Sequence, residues 1–138
     1  CPLLTDGAIE ALLTAGSDAL KAIYLEKLVS GQWTGTMNLT EPQAGSDLAT
    51  LKTQARLEGD LETGHFVVNG AKLWTSGIES ADHVWLAART DPDLARHKGV
   101  SIMILDTDAP GFSHTLIQTV GNFTAATYYD NVKVPADR

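Results

Sequence analysis

His65-Phe66-Val67-Val68-Asn69-Gly70-Ala71-Lys72-Leu73-Trp74-Thr75 is the stretch whose reading decides the fold. The apolar, β-branched run His65–Val68 reads as a strand, and Asn69-Gly70 is the strongest short-range hairpin signal, so Lys72–Thr75 is read as the returning strand. Working outward, Thr34–Leu39 alternates loosely. Leu51–Leu57 carries Leu51, Thr53, Ala55 and Leu57 on one side. His83–Ala88, Val100–Leu105, Leu116–Val120 and Thr127–Val134 are further strand candidates. Turn clusters such as Asp91-Pro92-Asp93 and Asp108-Ala109-Pro110-Gly111 separate them. Many short strands with no helical crossovers between them predict a mainly β unit, an antiparallel sandwich or barrel.

The first thirty residues have a different character. Ser17 and Asp18 are suited to an N-cap and a first-turn acid. Leu20, Ile23, Tyr24 and Leu28 then fall on one helical face, and Gly31 stands where a helix stops. A shorter helix is expected around Ala8–Leu13. The helical part is therefore assigned to residues 1–33 and the β part to 34–138. So little helix cannot bury its own apolar face, and the chain ends at Pro135-Ala136-Asp137-Arg138 without a closing element. We expect a piece of a longer polypeptide.

Composition narrows the functional classes. Of 138 residues, 43% are hydrophobic and 20% charged, which suits a globular core. The net charge of -7 argues against nucleic acid, since phosphate contacts need clustered Lys and Arg. The single cysteine, Cys1, cannot form an internal disulfide and is read as incidental. No apolar run approaches the roughly 20 residues of a membrane span. A cytoplasmic setting is the expectation. His65, His83, His97 and His114 lack metal-ligand spacing, so no metal site is expected.

Two stretches could carry chemistry. Thr40-Glu41-Pro42-Gln43-Ala44-Gly45-Ser46-Asp47 places a Gly and a hydroxyl where a phosphate or a ring edge could be held. Its plainer reading is a corner in which Ser46 or Asp47 caps one turn at Leu48-Ala49-Thr50. Lys72-Leu73-Trp74-Thr75-Ser76-Gly77 could set a flat indole against a planar cofactor. Its plainer reading is a core tryptophan at the end of a hairpin strand. Arg96-His97-Lys98 is read as a solvated loop tip, with a contact to ligand phosphates as the alternative. Glu79 and Asp82 are read as solvated.

Taken together these stretches resemble the acyl-CoA dehydrogenase family. Gly16–Leu25 is similar to the last helix of that family's N-terminal helical domain. Met37-Asn38-Leu39-Thr40-Glu41-Pro42 with Gly45-Ser46-Asp47 is similar to its first signature, and Asn69-Gly70-Ala71-Lys72-Leu73-Trp74-Thr75-Ser76 to its second hairpin. Lys98–Ser101, Asp108–Gly111 and Tyr129–Pro135 follow in the family's order. The resemblance implies the middle β domain, preceded by the end of the helical domain, with the C-terminal helical domain absent from these residues.

The resemblance also implies the site. FAD is the expected cofactor. The backbone of Met37, Asn38, Leu39 and Thr40 would line its isoalloxazine, with Thr40 on the polar edge of the ring. Gly45 and Ser46 would lie beside cofactor and substrate. Trp74 would pack on the flavin, Thr75 would stand beside it, and Ser76 would direct its hydroxyl toward N5. Ser46 would reach the pantetheine arm of acyl-CoA; apart from the resemblance, the charge of Arg96 and Lys98 leaves a contact to its phosphates as the alternative to a solvated tip. The implied reaction is α,β-dehydrogenation of an acyl-CoA thioester, in fatty acid or sterol side-chain β-oxidation. Gly121–Tyr129 resembles members acting on sterol-derived side chains. No residue here matches the family's catalytic glutamate, and Glu41 is expected to brace the turn. Expected partners are acyl-CoA, an electron-transfer flavoprotein as acceptor, and further copies in a homo-oligomer, a dimer or tetramer. Rival readings are an acyl-CoA oxidase or related flavin monooxygenase of the same fold, and a non-catalytic β module in a larger assembly.

Overall fold

The computed structural model describes residues 2–138, so the reading of Cys1 lies outside the described residues. Two helices come first, α1 (Pro2–Ala15) and α2 (Asp18–Val29). Ser17 caps α2 as expected, its hydroxyl accepting from Leu20 N at 3.2 Å. The helix stops at Ser30, and Gly31 takes the left-handed conformation with φ 74°. The inner face of α2 is narrower than the spacing predicts: Tyr24 and Leu28 are buried, whereas Ile23 is exposed. Helix α1 runs well beyond the predicted Ala8–Leu13.

Seven strands follow: β1 (Gly35–Asn38), β2 (Gln54–Glu58), β3 (His65–Thr75), β4 (His83–Arg89), β5 (Val100–Asp106), β6 (Phe112–Thr119) and β7 (Asn122–Pro135). They form one curled sheet in the order β1-β4-β2-β3-β7-β6, with β5 on the free flank of β4. The mainly β, barrel-like expectation holds, with one amendment. The sheet is mixed, because β1 runs parallel to β4 and Gln54 of β2 meets Arg89 of β4 in parallel.

The predicted hairpin at Asn69-Gly70 is not formed. β3 is one continuous strand of 11 residues, flanked by β2 over Gln54–Glu58 and by β7 along its length. Asn-Gly serves instead as a bulge, where the register with β7 shifts between Val68 and Gly70. Asn131 on β7 answers it with φ 52°, and its backbone N donates to Asn69 Oδ1 at 3.0 Å. Gly70 is required at that point. Its φ is 152°, and a Cβ there would stand 2.5 Å from Thr53 Oγ1. Pairing on both edges of β3 outweighs the local preference for a turn.

β4 is the axis of the core. Val84, Leu86 and Ala88 face the interior of the curled sheet with Val68, Leu105, Ala125, Tyr129 and Val132. Its opposite face puts Trp85 under the helices with Ala8, Leu12, Tyr24 and Leu28. Ala87 joins Ala44 and Leu51, seating the Thr40–Asp47 loop on the sheet. At the helix side, His83 packs edge-on against Tyr24 and Trp33, with ring centroids 5.1 and 4.6 Å apart. Its Nδ1 lies 2.9 Å from Asp106 Oδ1, and Arg138 holds the other oxygen of that carboxylate at 2.8 Å. No helix among the described residues is long and apolar enough to cross a membrane.

Candidate functional site

The two stretches singled out in the sequence come together at the end of β1 and the end of β3. Leu73 N donates to Thr40 O at 2.9 Å, which joins them directly. Trp74 is the unusual residue of this edge. It is 56% exposed and has φ 64°, in the left-handed region that a bulky side chain rarely occupies. The register of β3 with β7 shifts across it, between Lys72 and Thr75. A core tryptophan was the plainer sequence reading, and it does not apply. The indole is turned out to the surface, and Ser76, Gly45 and Ser46 are exposed near the ends of the same two stretches.

The loop is braced from beneath by Glu41. Its carboxylate is buried, and it accepts from Lys72 Nζ at 2.8 Å, Lys52 N at 2.6 Å and Thr53 N at 2.9 Å. Burial alone would raise the Glu41 carboxyl. The Lys72 ammonium and the backbone amides overcome that and hold it down at about 2. The same ammonium donates to Leu39 O at 3.0 Å, so one buried cation grips both the start of the loop and its brace. Glu41 is thus the structural residue that the sequence reading made it. Gly45 departs from expectation in one respect. Its φ is not positive, and nothing lies within 4 Å of where a Cβ would stand. The single turn Leu48–Thr50 is present, but neither Ser46 nor Asp47 caps it with a side chain.

Among the other predicted residues, Met37 is half-buried and packs toward the helices, where a Cβ on Gly7 would lie 3.2 Å from its sulfur. Leu39 and Thr40 are half-buried beside the loop. Asn38 and Thr75 have buried side chains that bond each other in the interior. Arg96 and Lys98 are exposed in the short 3-10 turn Arg96–Gly99. Arg89 ties that turn to the loop's exit: its guanidinium donates to Ala49 O at 2.9 Å and to Arg96 O at 3.1 Å. Asp82, read as solvated, is exposed but accepts from Thr34 N at 2.7 Å.

Sequence reasoning missed Lys72 as a buried cation, Arg89 as a tie, and the polar group Asn38, Thr75, Thr127 and Tyr129. A lysine inside an otherwise strand-like run, two residues past a bulge glycine, was the one available signal for the first. An apolar depression of about 400 Å³ on the helix side is lined by residues including Leu12, Leu20, Trp85 and Ile104 and involves none of the site residues above.

The edge therefore offers a planar surface ring, neighbouring surface hydroxyls and a small, open loop residue, all on backbone fixed from below. That set fits a flat cofactor with polar edges. Residues 36–132 match the family model described as acyl-CoA dehydrogenase, middle domain. The chain is 45% identical over 124 residues to acyl-CoA dehydrogenase FadE29 of Mycobacterium tuberculosis, covering 88% of this chain and 31% of that protein. Among solved structures, the Tcur3481-Tcur3483 steroid ACAD is 46% identical with a TM-score of 0.88, over 97% of this chain and 34% of that one. A glutaryl-CoA dehydrogenase from Mycobacterium smegmatis, solved in complex with FADH2, is 30% identical with a TM-score of 0.81, over 94% and 32%. The chain spans about a third of the length of these relatives. On the match of its β strands to that family model, the chain belongs to the acyl-CoA dehydrogenase family and carries its middle domain.

Proposed function

We propose that the edge formed by Leu39-Thr40, Gly45-Ser46 and Trp74–Ser76 is one wall of a site for FAD and an acyl-CoA thioester. The protein it serves is then an acyl-CoA dehydrogenase, whose reaction is α,β-dehydrogenation of the thioester. The observation that carries this reading is Trp74, a large aromatic held at the surface in a conformation that costs on the order of 1–3 kcal/mol. Such strain persists where the position of the ring matters. FAD, when bound, supplies the acceptor for the two electrons removed from the acyl chain.

The chain's own residues bind and orient. Trp74 offers its indole face to the ring system, Thr40 serves the ring's polar edge, and the Ser76 hydroxyl is directed toward N5. Ser46, exposed at the loop tip, serves the thioester-linked arm of the substrate. Arg96 and Lys98, tethered near the loop through Arg89, serve the substrate's phosphates. Glu41 is no proton acceptor for the substrate, because its carboxylate is buried and engaged by Lys72, Lys52 and Thr53. We assign the base to a part of the protein outside residues 1–138, and residues 1–33 to the end of the helical domain before the β domain of 34–138. An electron-transfer flavoprotein is the proposed acceptor, a homo-oligomer in the cytoplasm the proposed working form, and a sterol-derived acyl group the proposed substrate class, the last supported by similarity to a steroid ACAD.

The test is titration of FAD into the chain, followed by flavin fluorescence and by the shift of the melting curve. Saturable binding that Trp74→Ala weakens at least about tenfold supports the reading. Absence of binding at millimolar FAD overturns it.

A further inference from the structure

No strand pairing joins β1 to β3 or β7, yet the two halves of the proposed wall lie one on each side of that seam. Side chains close it. Asn38, on β1, is 1% exposed and sends its amide across the gap. Its Nδ2 donates to Thr127 Oγ1 at 2.8 Å and to the Tyr129 hydroxyl, both on β7. Its Oδ1 accepts from Thr75 Oγ1 of β3 at 2.7 Å. Thr75 is gripped a second time, since its carbonyl accepts from Thr124 Oγ1 at 3.1 Å. One residue further on, the Ser76 carbonyl accepts from Thr36 Oγ1 at 2.7 Å. On the other side of Trp74, Leu73 N is held by Thr40 O.

We infer that Asn38 is a positioning residue, whose buried amide keeps Trp74 in its left-handed conformation and so sets the indole against the backbone of Leu39 and Thr40. The inference rests on the reading of this edge as a flavin wall. The physical case has two parts. A residue wanted here only for packing would be apolar, since a buried amide is costly unless its hydrogen bonds are met, and three of the four that Asn38 can make are met by partners on two other strands. A bulky residue at positive φ relaxes unless the peptides around it are over-determined. Here Leu73, Thr75 and Ser76 are each pinned, and Asn38 connects the pin at Thr75 to the body of the sheet. The clamp acts through Thr75 and does not touch a ligand.

The experiment uses the chain labelled with 5-fluorotryptophan, which places one ¹⁹F probe on each of Trp33, Trp74 and Trp85, the Trp74 signal being assigned with Trp74→Phe. Asn38→Leu keeps the branch at Cγ and removes the amide's hydrogen bonds, at the cost of a larger buried side chain. Thr75→Val is isosteric, removes only the hydroxyl and guards against misfolding of the first variant. Val134→Ala, a core truncation on β7 away from the seam, serves as the control. In both seam variants the Trp74 resonance is expected to shift or split while those of Trp33 and Trp85 stay, and FAD binding is expected to weaken about tenfold. Val134→Ala is expected to leave the Trp74 resonance in place. An unmoved Trp74 resonance in both seam variants overturns the inference, as does an equal response to Val134→Ala. If FAD binds the parent chain and the seam variants equally well, the positioning role falls and the flavin reading stands. If FAD does not bind the parent but Trp74 answers to both seam variants, the clamp is supported and the flavin reading falls.

Discussion

Lys72 Nζ lies 2.8 Å from Glu41 Oε1 with both side chains nearly out of reach of solvent, 0% and 3% exposed. An ion pair this deep is only as good as its completeness, because each charge has given up its hydration. Glu41 completes its set with two backbone amides and the Gln43 side-chain amide, and Lys72 with the Leu39 carbonyl. Lys72→Met leaves a buried carboxylate without a counter-charge and is expected to destabilise the fold by about 3–5 kcal/mol in urea unfolding. The double variant Lys72→Met with Glu41→Leu is expected to recover part of that loss.

The same carboxylate sets an acid limb in the stability profile. Glu41 titrates at about 2 in the folded chain against its ordinary 4.5. Its contribution is present above pH 4.5 and is lost as pH falls from there toward 2, since the unfolded chain binds the proton first. Unfolding free energy measured against pH should show this limb, and Glu41→Gln should flatten it.

His83 adds a limb at higher pH. Burial under Tyr24 and Trp33 lowers its titration from the ordinary 6.5, and the neighbouring Asp106 only partly offsets this. The folded chain favours neutral imidazole, so the contribution is present above pH 6.5 and is lost as pH falls through the lower folded value. His83→Gln is expected to remove that slope while leaving the Glu41 limb in place.

Trp74 should separate stability from binding. Trp74→Gly removes a Cβ from a left-handed position and is expected to raise stability by about 1 kcal/mol, because the exposed ring contributes little packing. The same substitution should abolish the flavin affinity proposed for this edge. A fall in both quantities would mean that the indole is part of the core.

Gly35 tests the contact between helices and sheet. A Cβ there would come within 2.8 Å of the buried Trp85 ring and 3.1 Å of Ala8. Gly35→Ala is therefore expected to cost about 1–3 kcal/mol through overpacking, read as a lower urea midpoint with unchanged slope.

Much of this molecule is determined locally and is open to reading in the chain. The cap at Ser17, the stop at Gly31 and five strands with nearly correct centres all follow from spacing and turn chemistry, which depend on near neighbours. The Thr40–Asp47 and Lys72–Gly77 stretches also stand out as unusual in composition. Only the tertiary structure decided that Asn69-Gly70 is a bulge, because both edges of β3 find partners, β2 and β7, whose positions no local rule contains. It alone put β1 parallel to β4, a pairing between segments some fifty residues apart. It set aside the plainer reading of Trp74 as a core residue, since whether an indole at a strand end faces core or solvent depends on φ at one residue and on what lies beside it. The buried partners of Lys72 and Asn38 lie 31 to 91 positions away in sequence. Polar groups so distant in sequence meet only when the sheet curls, and the curl comes from packing.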